Sequence, residues 1–420
     1  MGAGGRVSRW WAGIDWSESL QDCAIVDETG KMVTHLRIEE TREGVHRFVT
    51  ALRDLNPSSH RFSRRQVPVA IEDGRRLIAA ELLRLGQPLV VIPPAVTARH
   101  RGRLATAASK ADRTDAALLA NIIRMNPRLH RPVPKTSDHA SAVAMLARGQ
   151  ADAADRAREL MQALRSHLML YFPVAAQAWA ALPSGLRRPE ARAVLALAPT
   201  PGQAAALRKK KITDVLAAAG RTRLVDQEAA RLVALFGLPQ LRQRSMTEQA
   251  MGARTLMLLA ELGHACDHAQ TLITQTDELF AGHPHAEIYT SFPACGPVLR
   301  ARLFAEIGDD PDRFSSPRGL RAYAGTAPLT WASGGSRSVT HRKIANRRLK
   351  ATVHLWSFAT LTRSPGCRAL YDTRRGKGDG YAAALRHVGN RLLSGLHHCL
   401  QHQVLYSEEA MFPEVPAEPD

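Results

Sequence analysis

The chain has 420 residues, of which 45% are hydrophobic and 23% charged, a balance that excludes a disordered polymer and allows two or three domains with cores of their own. Its 57 Lys and Arg against 39 Asp and Glu leave a formal charge of +18, a field suited to a polyanion because each neutralised phosphate releases condensed counterions. No uninterrupted apolar run of about 18 residues occurs, so a bilayer-spanning helix is excluded, and the opening residues carry no secretory pattern.

In chain order, residues 10–16, 22–28 and 31–40 read as three strands, the latter two joined through Thr29-Gly30 as a hairpin. A helix follows over 43–55, with Val45, Phe48, Val49 and Leu52 at helical spacing. Residues 67–73 read as a strand, 75–86 as a helix closed by Gly86, and 88–94 as a buried strand stopped by two prolines. A last helix, 112–125, completes an α/β domain over 1–135.

From 136 to 285 strand signals vanish. Met251, Thr255, Leu258, Leu262, Ala265, Ala269, Leu272, Thr276 and Leu279 alternate steps of four and three, the seam of a coiled coil. A partner seam runs through Leu146, Ala153, Ala157, Leu160 and Leu164. Between them, 183–240 reads as a helical insertion whose basic run at Arg208 to Lys211 is a solvated face. Residues 286–400 form a further, mainly α-helical domain, and 401–420 an acidic, Pro-rich tail expected to be disordered. The five cysteines, Cys23, Cys266, Cys295, Cys367 and Cys399, lack the spacing of a zinc site and fit a reducing cytoplasm.

Against the basic background, four carboxylates stand out: Asp15 on the first strand, Glu72 at the end of the fourth, and Asp112 and Asp115 on one face of the last helix. Singly, each has an ordinary use, Asp112 at a helix start and Glu72 at a strand exit. Gathered without a cation they would repel, by roughly 4 kcal/mol per pair at 4 Å and surface-like dielectric. A divalent ion removes that penalty, and hard oxygen ligands select Mg²⁺ or Mn²⁺. Arg99, Arg101, Arg103, Lys110 and Arg113 are placed to hold a phosphate backbone beside it.

A second group of candidates lies near the end. Gly296 permits a turn opening a helix, where backbone N–H groups can cradle a phosphate. Ser333 precedes Gly334-Gly335 in a loop, a hydroxyl presented for attack on a phosphodiester, with Ser336 and Ser338 as competitors. Arg347, Lys350 and His354 then share a basic helical face.

The order Asp15, Glu72, Asp112, Asp115, set in "GIDWS" and "KADRTDA", resembles the RuvC-like domain of the DEDD insertion-sequence transposases, which has an RNase H-type fold. The later region is similar to that family's C-terminal transposase domain at Pro293, Gly296, Glu306 to Asp309, Arg313-Phe314, Gly325, Pro328, Ser333-Gly334, Lys343, Asn346 and Arg348-Leu349. Ala294 and Ala345 stand where the family usually has glycine, and Thr326 where an apolar residue is usual. The resemblance implies a bacterial, cytoplasmic, nucleoid-associated recombinase that uses a structured noncoding guide RNA, the bridge RNA, to pair double-stranded donor and target DNA. It implies Mg²⁺ held by Asp15, Glu72, Asp112 and Asp115, with Ser333 of another subunit forming a phosphoserine, in a homodimer that assembles to a tetramer. Gly296, Arg337, Lys343, Asn346, Arg347, Arg348 and Lys350 join the nucleic-acid contacts. Three alternatives stay open: a junction resolvase using metal-activated water, a sugar-kinase-like ATPase built on "GIDWSES", and a non-catalytic nucleic-acid-binding scaffold.

Overall fold

The computed structural model describes residues 9–18, 20–55, 62–104, 112–127, 129–130, 132–333, 336–342 and 345–413, without the side chains of 102–104, 112–113, 329–333 and 336–341. It divides into two units, Met1–Lys135 and Thr136–Asp420.

The first unit is built on strands β1 (Trp10–Asp15), β2 (Leu20–Asp27) and β3 (Met32–Glu39), helix α1 (Arg42–Arg53), β4 (Val69–Ile71), α2 (Leu77–Arg84), β5 (Leu89–Val91), α3 (Pro94–Leu104) and α4 (Asp112–Met125). The five strands form one sheet in the order β3-β2-β1-β4-β5. β1, β2 and β3 are an antiparallel meander, whereas β4 and β5 run parallel to β1. This mixed sheet is consistent with an RNase H-like domain. Strand alternation assigns the faces: Ala12, Ile14, Val69 and Ile71 pack with Phe48 and Leu52 of α1 and Ile78 and Leu82 of α2. Trp11 and Ala70 pack with Leu119 and Ile123 of α4 on the opposite face. One helix, α3, lies where the two prolines were expected only to stop a strand. Pro94 does both, because its fixed φ suits the first position of a helix and its missing N–H is not needed there.

In the second unit, α5 (Asp138–Met169) and α11 (Ser245–Ala281) are the longest helices. They lie antiparallel: the His139 ring nitrogen Nε2 is 2.7 Å from the Leu279 carbonyl, and that of His167 is 2.9 Å from the Met251 carbonyl. Of the heptad positions, Thr255, Leu262, Ala265 and Thr276 are buried. Helix α6 (Pro173–Ala178) precedes the insertion, which is made up of α7 (Pro189–Leu197), α8 (Pro201–Ala205), α9 (Lys209–Ala218) and α10 (Val225–Phe236). They close a core with the helix pair around Leu164, Trp179, Phe236 and Leu262. The basic run at the start of α9 is exposed.

The rest comprises α12 (Ala286–Ser291), α13 (Pro297–Ile307), α14 (Pro317–Tyr323), β6 (Pro328–Ser333), β7 (Ser336–His341), α15 (Arg347–Thr360), α16 (Pro365–Gly376), α17 (Tyr381–His402) and α18 (Glu408–Met411). Three sequence expectations change here. Residue 285 is no domain boundary, because Ala140, Val143 and Phe280 of the long helices share a core with Phe304, Trp356 and Leu392. The Ser333 segment is a β-hairpin in which β6 and β7 pair antiparallel. Of the tail expected to be disordered, 414–420 lie outside the described residues, and 401–413 are ordered: Met411 and Phe412 are buried, and the Glu408 carboxylate accepts hydrogen bonds from Ser364 Oγ at 2.7 Å and Gly366 N–H at 2.8 Å. Two apolar side chains and a helix-capping carboxylate outweigh the acidic composition. Among the described residues no helix is long and apolar enough to cross a membrane, and the five cysteines are unpaired, all but Cys266 buried.

Candidate active site

The parallel register of β1 and β4 pairs Ile14 with Ile71, so the next residue on each strand, Asp15 and Glu72, stands at the carboxyl edge of the sheet's centre. Alternation puts both on the α4 face, since Trp11 and Ala70 are in step with them. Both are half-buried. The direction of α4 follows from its far end. Arg124 donates to the Glu28 carbonyl at 3.1 Å and Asn121 to the Gly30 carbonyl at 3.2 Å, both in the β2–β3 turn beyond the start of β1. Helix α4 therefore runs antiparallel to β1, and its first turn, with Asp112 and Asp115, comes to the edge that carries Asp15 and Glu72.

Gly13 sets how closely the helix lies on the strand. A Cβ at Gly13 would meet the Ala116 carbonyl oxygen at 2.1 Å and the Ala120 nitrogen at 2.8 Å. Only glycine lets the two backbones touch in this way, directly after Asp115 and two residues before Asp15.

Asp115 is buried and held by Arg101 of α3, with Nε to Oδ1 at 3.1 Å and Nη2 to Oδ2 at 2.8 Å. A further acid was not singled out from sequence. Asp22 lies opposite Asp15 in the β1–β2 register, hence on the same face, and is 4% exposed. Arg37 Nε, 3.2 Å from its Oδ1, brings a compensating charge, and His35 Nε2 is hydrogen-bonded to the same oxygen at 2.7 Å. Its pairing is cross-strand, which no local pattern reveals. At the same edge the Arg76 guanidinium lies 3.3 Å over the Trp16 ring, and Asp73 is held below the usual carboxylate range by hydrogen bonds from Arg75.

Among the described residues, no group of three or more His, Cys, Asp or Glu converges as metal ligands. The side chain of Asp112 lies outside them, as do Lys110 and the side chains of Arg103 and Arg113. The donor set still suits a divalent ion: the acids at this edge offer hard oxygens, and Asp115 draws a guanidinium into the place of a counter-cation. Arg99 is exposed.

In the second unit Ser333 ends β6 opposite Ser336 on β7, and Arg337 pairs with Ala332. The side chains of these residues and all of Lys343 lie outside the described residues. Asn346 does not face outward: its amide donates to Glu306 Oε2 at 2.6 Å and Tyr323 Oη at 2.8 Å, and its oxygen caps α15 at the Leu349 N–H, 2.9 Å. Both amide hydrogens are spent, so it positions α15 and has no donor left for a phosphate. The buried Glu306 also accepts from Arg148 at 2.9 Å, and Arg313 donates to Tyr323 Oη at 3.1 Å. These bonds tie the start of α15 to α13 and α14, and α13 to α5. Arg347 is exposed, Lys350 half-buried, and Arg348 pairs with Asp152 at 2.9 Å.

The turn before α13 corrects another expectation. Gly296 has an extended backbone and caps α13, and a Cβ added there would point into open space, while the left-handed residue is Ala294 at φ 55°. The other two departures from the family pattern are absorbed locally. Ala345 packs against Gly325, where a Cβ would lie 2.5 Å from its own, and Thr326 donates to the Arg321 carbonyl at 3.3 Å.

Comparison with known proteins places this geometry. Residues 12–173 match a DEDD-type transposase family model of IS110, and residues 286–372 match the family described as transposase IS116/IS110/IS902. The chain is 40% identical over 402 residues to the "Mini-circle putative transposase for IS117" of Streptomyces coelicolor, covering 96% of each protein. It is 26% identical over 410 residues to an IS900 insertion-element protein of Mycobacterium paratuberculosis, covering 94% of this chain and 96% of that one. A Streptomyces clavuligerus IS116 protein is likewise 26% identical, over 414 residues, covering 96% of this chain and 97% of that one. Two family matches, one covering the acidic edge and one the serine hairpin, together with a relative 40% identical over 96% of both chains, establish that the chain belongs to the IS110 family of transposases.

Proposed function

We propose that the chain cuts and rejoins DNA strands through a phosphoserine at Ser333, with Asp15, Glu72, Asp112 and Asp115 as ligands of Mg²⁺ or Mn²⁺. Membership of a transposase family implies DNA strand transfer. The observation that carries the finer reading is the meeting of the β1–β4 edge with the first turn of α4, fixed by the Gly13 contact. When bound there, a divalent ion would stabilise negative charge developing on a phosphate oxygen.

The chain's own residues supply the rest. The four carboxylates would hold that ion, while exposed cations such as Arg99 and Arg347 hold the DNA backbone that flanks the scissile phosphate. The Ser333 hydroxyl loses its proton as its oxygen bonds to phosphorus. One P–O bond of the DNA breaks, and the freed deoxyribose hydroxyl takes up a proton. The reverse step, with the hydroxyl of another strand attacking the phosphoserine, rejoins DNA with the bond energy conserved. A structured noncoding RNA would choose donor and target, and the acids of one subunit would work with the serine of another in a homodimer assembling to a tetramer.

The test is a plasmid recombination assay with mass spectrometry of denatured reaction intermediates. Wild type should yield a peptide carrying a nucleotide on Ser333. Ser333→Ala should yield neither adduct nor recombinant, and Asp15→Ala should lose divalent-dependent cleavage. Normal recombination by Ser333→Ala would refute the assignment, and an adduct on Ser336 or Ser338 would move it. Sequencing RNA that copurifies with the protein tests the guide.

A further inference from the structure

We propose that the cavity between α15 and α17 binds an unpaired nucleotide of a polynucleotide strand, with its base on the apolar floor and its phosphate on the cationic rim. This rests on the reading of the chain as a nucleic-acid enzyme and assigns a site that the strand chemistry does not require. The cavity measures about 430 Å³. Its floor is made by Val353 and Leu385, both 1% exposed. Arg347, Lys350 and Arg386 ring it, with His354 on the wall, and among the described residues no Asp or Glu lines it.

That last feature separates this cavity from its neighbour. A cleft of about 510 Å³ on the other side of α15 is also rich in arginine, but it brings its own acids, Asp152, Asp155 and Glu306. Arg348 is paired there with Asp152 and Arg148 with Glu306, each at 2.9 Å. Arg158 is paired with Asp155 as well, at 2.7 Å, so three of that cleft's five arginines are already spent on acids of its own. At the α15–α17 cavity, Lys350 Nζ donates to the Arg342 carbonyl, a long contact at 3.5 Å. Asp379, just before α17, is held by Arg374 at 2.6 Å. Three cations converge on an apolar hollow without a carboxylate among its described lining residues, an arrangement that favours a ligand with an anionic end and a flat apolar body.

A nucleotide has that shape, and the volume falls in the usual range for a small-molecule site, about 300–1,000 Å³. A base paired in a duplex cannot enter such a hollow, so the occupant is a base turned out of its stack or one from a single strand. The mouth carries aromatic rings suited to its neighbours. Tyr381, 47% exposed, meets His354 edge-on at 6.2 Å and Tyr371 at 6.4 Å between ring centroids. Rings exposed beside a basic groove are how sequence-tolerant single-strand binders stack successive bases. The cavity also lies at the foot of the serine hairpin: Thr326 lines it two residues before β6 begins, and Arg342 follows the end of β7. A strand anchored here would lead onto the hairpin that bears Ser333.

The experiment uses the full-length protein and fluorescence anisotropy with short single-stranded DNA and RNA oligonucleotides, each beside a fully abasic chain of equal charge. Wild type should prefer the intact strand about tenfold over the abasic one, the worth of a stacked base. The arm that shows the preference identifies the strand as DNA or RNA. Arg386→Ala should weaken binding of both chains and reduce the slope of log K against log salt by about 0.7, one phosphate contact on a single strand. Ala382→Trp, at an exposed position on the cavity's edge, should remove the base preference and leave the salt slope intact. Retention of the preference by Ala382→Trp, or its absence in wild type, would overturn the proposal. Failure of wild type to bind any strand would instead remove the nucleic-acid reading beneath it. Circular dichroism melting checks that each variant is folded.

Discussion

Arg101 grips Asp115 at both oxygens, Nε to Oδ1 at 3.1 Å and Nη2 to Oδ2 at 2.8 Å, where the carboxylate side chain is only 9% exposed. The planar fork supplies the positive charge that a buried carboxylate needs, in the geometry that suits it best. Arg101 was expected from sequence to hold a phosphate, and here it serves an acid of the proposed metal set. A cation that took Asp115 as a ligand would free Arg101 for that backbone contact.

Arg101→Gln tests the exchange. Leaving Asp115 uncompensated should cost about 1–3 kcal/mol, the low end for a buried group because Arg101 is itself 41% exposed. The melting temperature should drop by several degrees without divalent ions, and Mg²⁺ should restore more of it in the variant than in wild type. Thermal melting with and without Mg²⁺ reads both. Equal indifference to Mg²⁺ in the two proteins would exclude Asp115 as a ligand.

Gly13→Ala is expected to harm chemistry more than folding. The added methyl would meet the Ala116 carbonyl and the Ala120 nitrogen at 2.1 and 2.8 Å, and since both are backbone atoms, the helix must move as a body. Such overpacking costs about 1–3 kcal/mol. Because that helix begins with Asp112 and Asp115, strand transfer should fall at least tenfold at a temperature where melting shows the variant still folded, since a displacement of about 1 Å can cost a hundredfold in a positioned site. Recombination at the wild-type rate by a folded Gly13→Ala protein would show that the seating of α4 does not set the site.

What could be read from sequence divides along physical lines. Asp15 was legible because a carboxylate between Ile14 and Trp16 breaks the pattern of a buried strand, and α4 because its apolar repeat is strong. Asp22 was not legible: its partners His35 and Arg37 are neighbours only through the β2–β3 register, and register is a three-dimensional fact. The Ser333 hairpin was hidden because Gly334-Gly335 reads equally as a loop or a two-residue turn. Asn346 looked like a surface donor since its three partners, Glu306, Tyr323 and Leu349, include two that are distant in the chain. The Ala140 to Phe280 contribution to the C-terminal core was missed for a similar reason: long helices carry one apolar face through two different cores.

Ala294→Gly should stabilise the protein. Ala294 sits at φ 55°, a region that costs an L-residue roughly 1–2 kcal/mol, and it occupies a place where the resembling family usually has glycine. Glycine's greater freedom in the unfolded chain takes back about 0.5–1 kcal/mol. The net gain, on the order of 0.5–1 kcal/mol, should raise the melting temperature by about 1–4 °C in a unit of this size. The reverse logic applies to Gly296, whose extended backbone and open surroundings should let Gly296→Ala melt within about a degree of wild type, a surface-like change. A lower melting temperature for Ala294→Gly would mean that the turn depends on the methyl group for packing.

Stability should decline as the medium turns acid, through a histidine cluster at the α11–α12 junction. Burial pushes His283 below its ordinary range, against the opposing pull of Asp309, and burial next to His283 does the same to His285. Geometry agrees, because His283 Nδ1 accepts the His285 backbone N–H at 3.1 Å, a bond that a proton on that nitrogen would end. In the unfolded chain both rings protonate near pH 6.5. Just below that, the unfolded state binds more protons than the folded one, so the contribution is complete above about pH 6.5 and is lost as pH falls through the depressed folded values. Asp309 adds a second loss further down. Burial alone would raise it, but hydrogen bonds from Ser137 and His283 outweigh that and leave it below its ordinary value of 3.8. Its share is therefore present above that pH and lost beneath it. Urea denaturation at about pH 7.5, 6 and 5 should show falling midpoints, with a slope of at most about 1.4 kcal/mol per pH unit for each ring. His285→Gln, which cannot titrate, should flatten the fall. An unchanged midpoint in wild type from about pH 7.5 to 5 would show that both rings already titrate as in the unfolded chain.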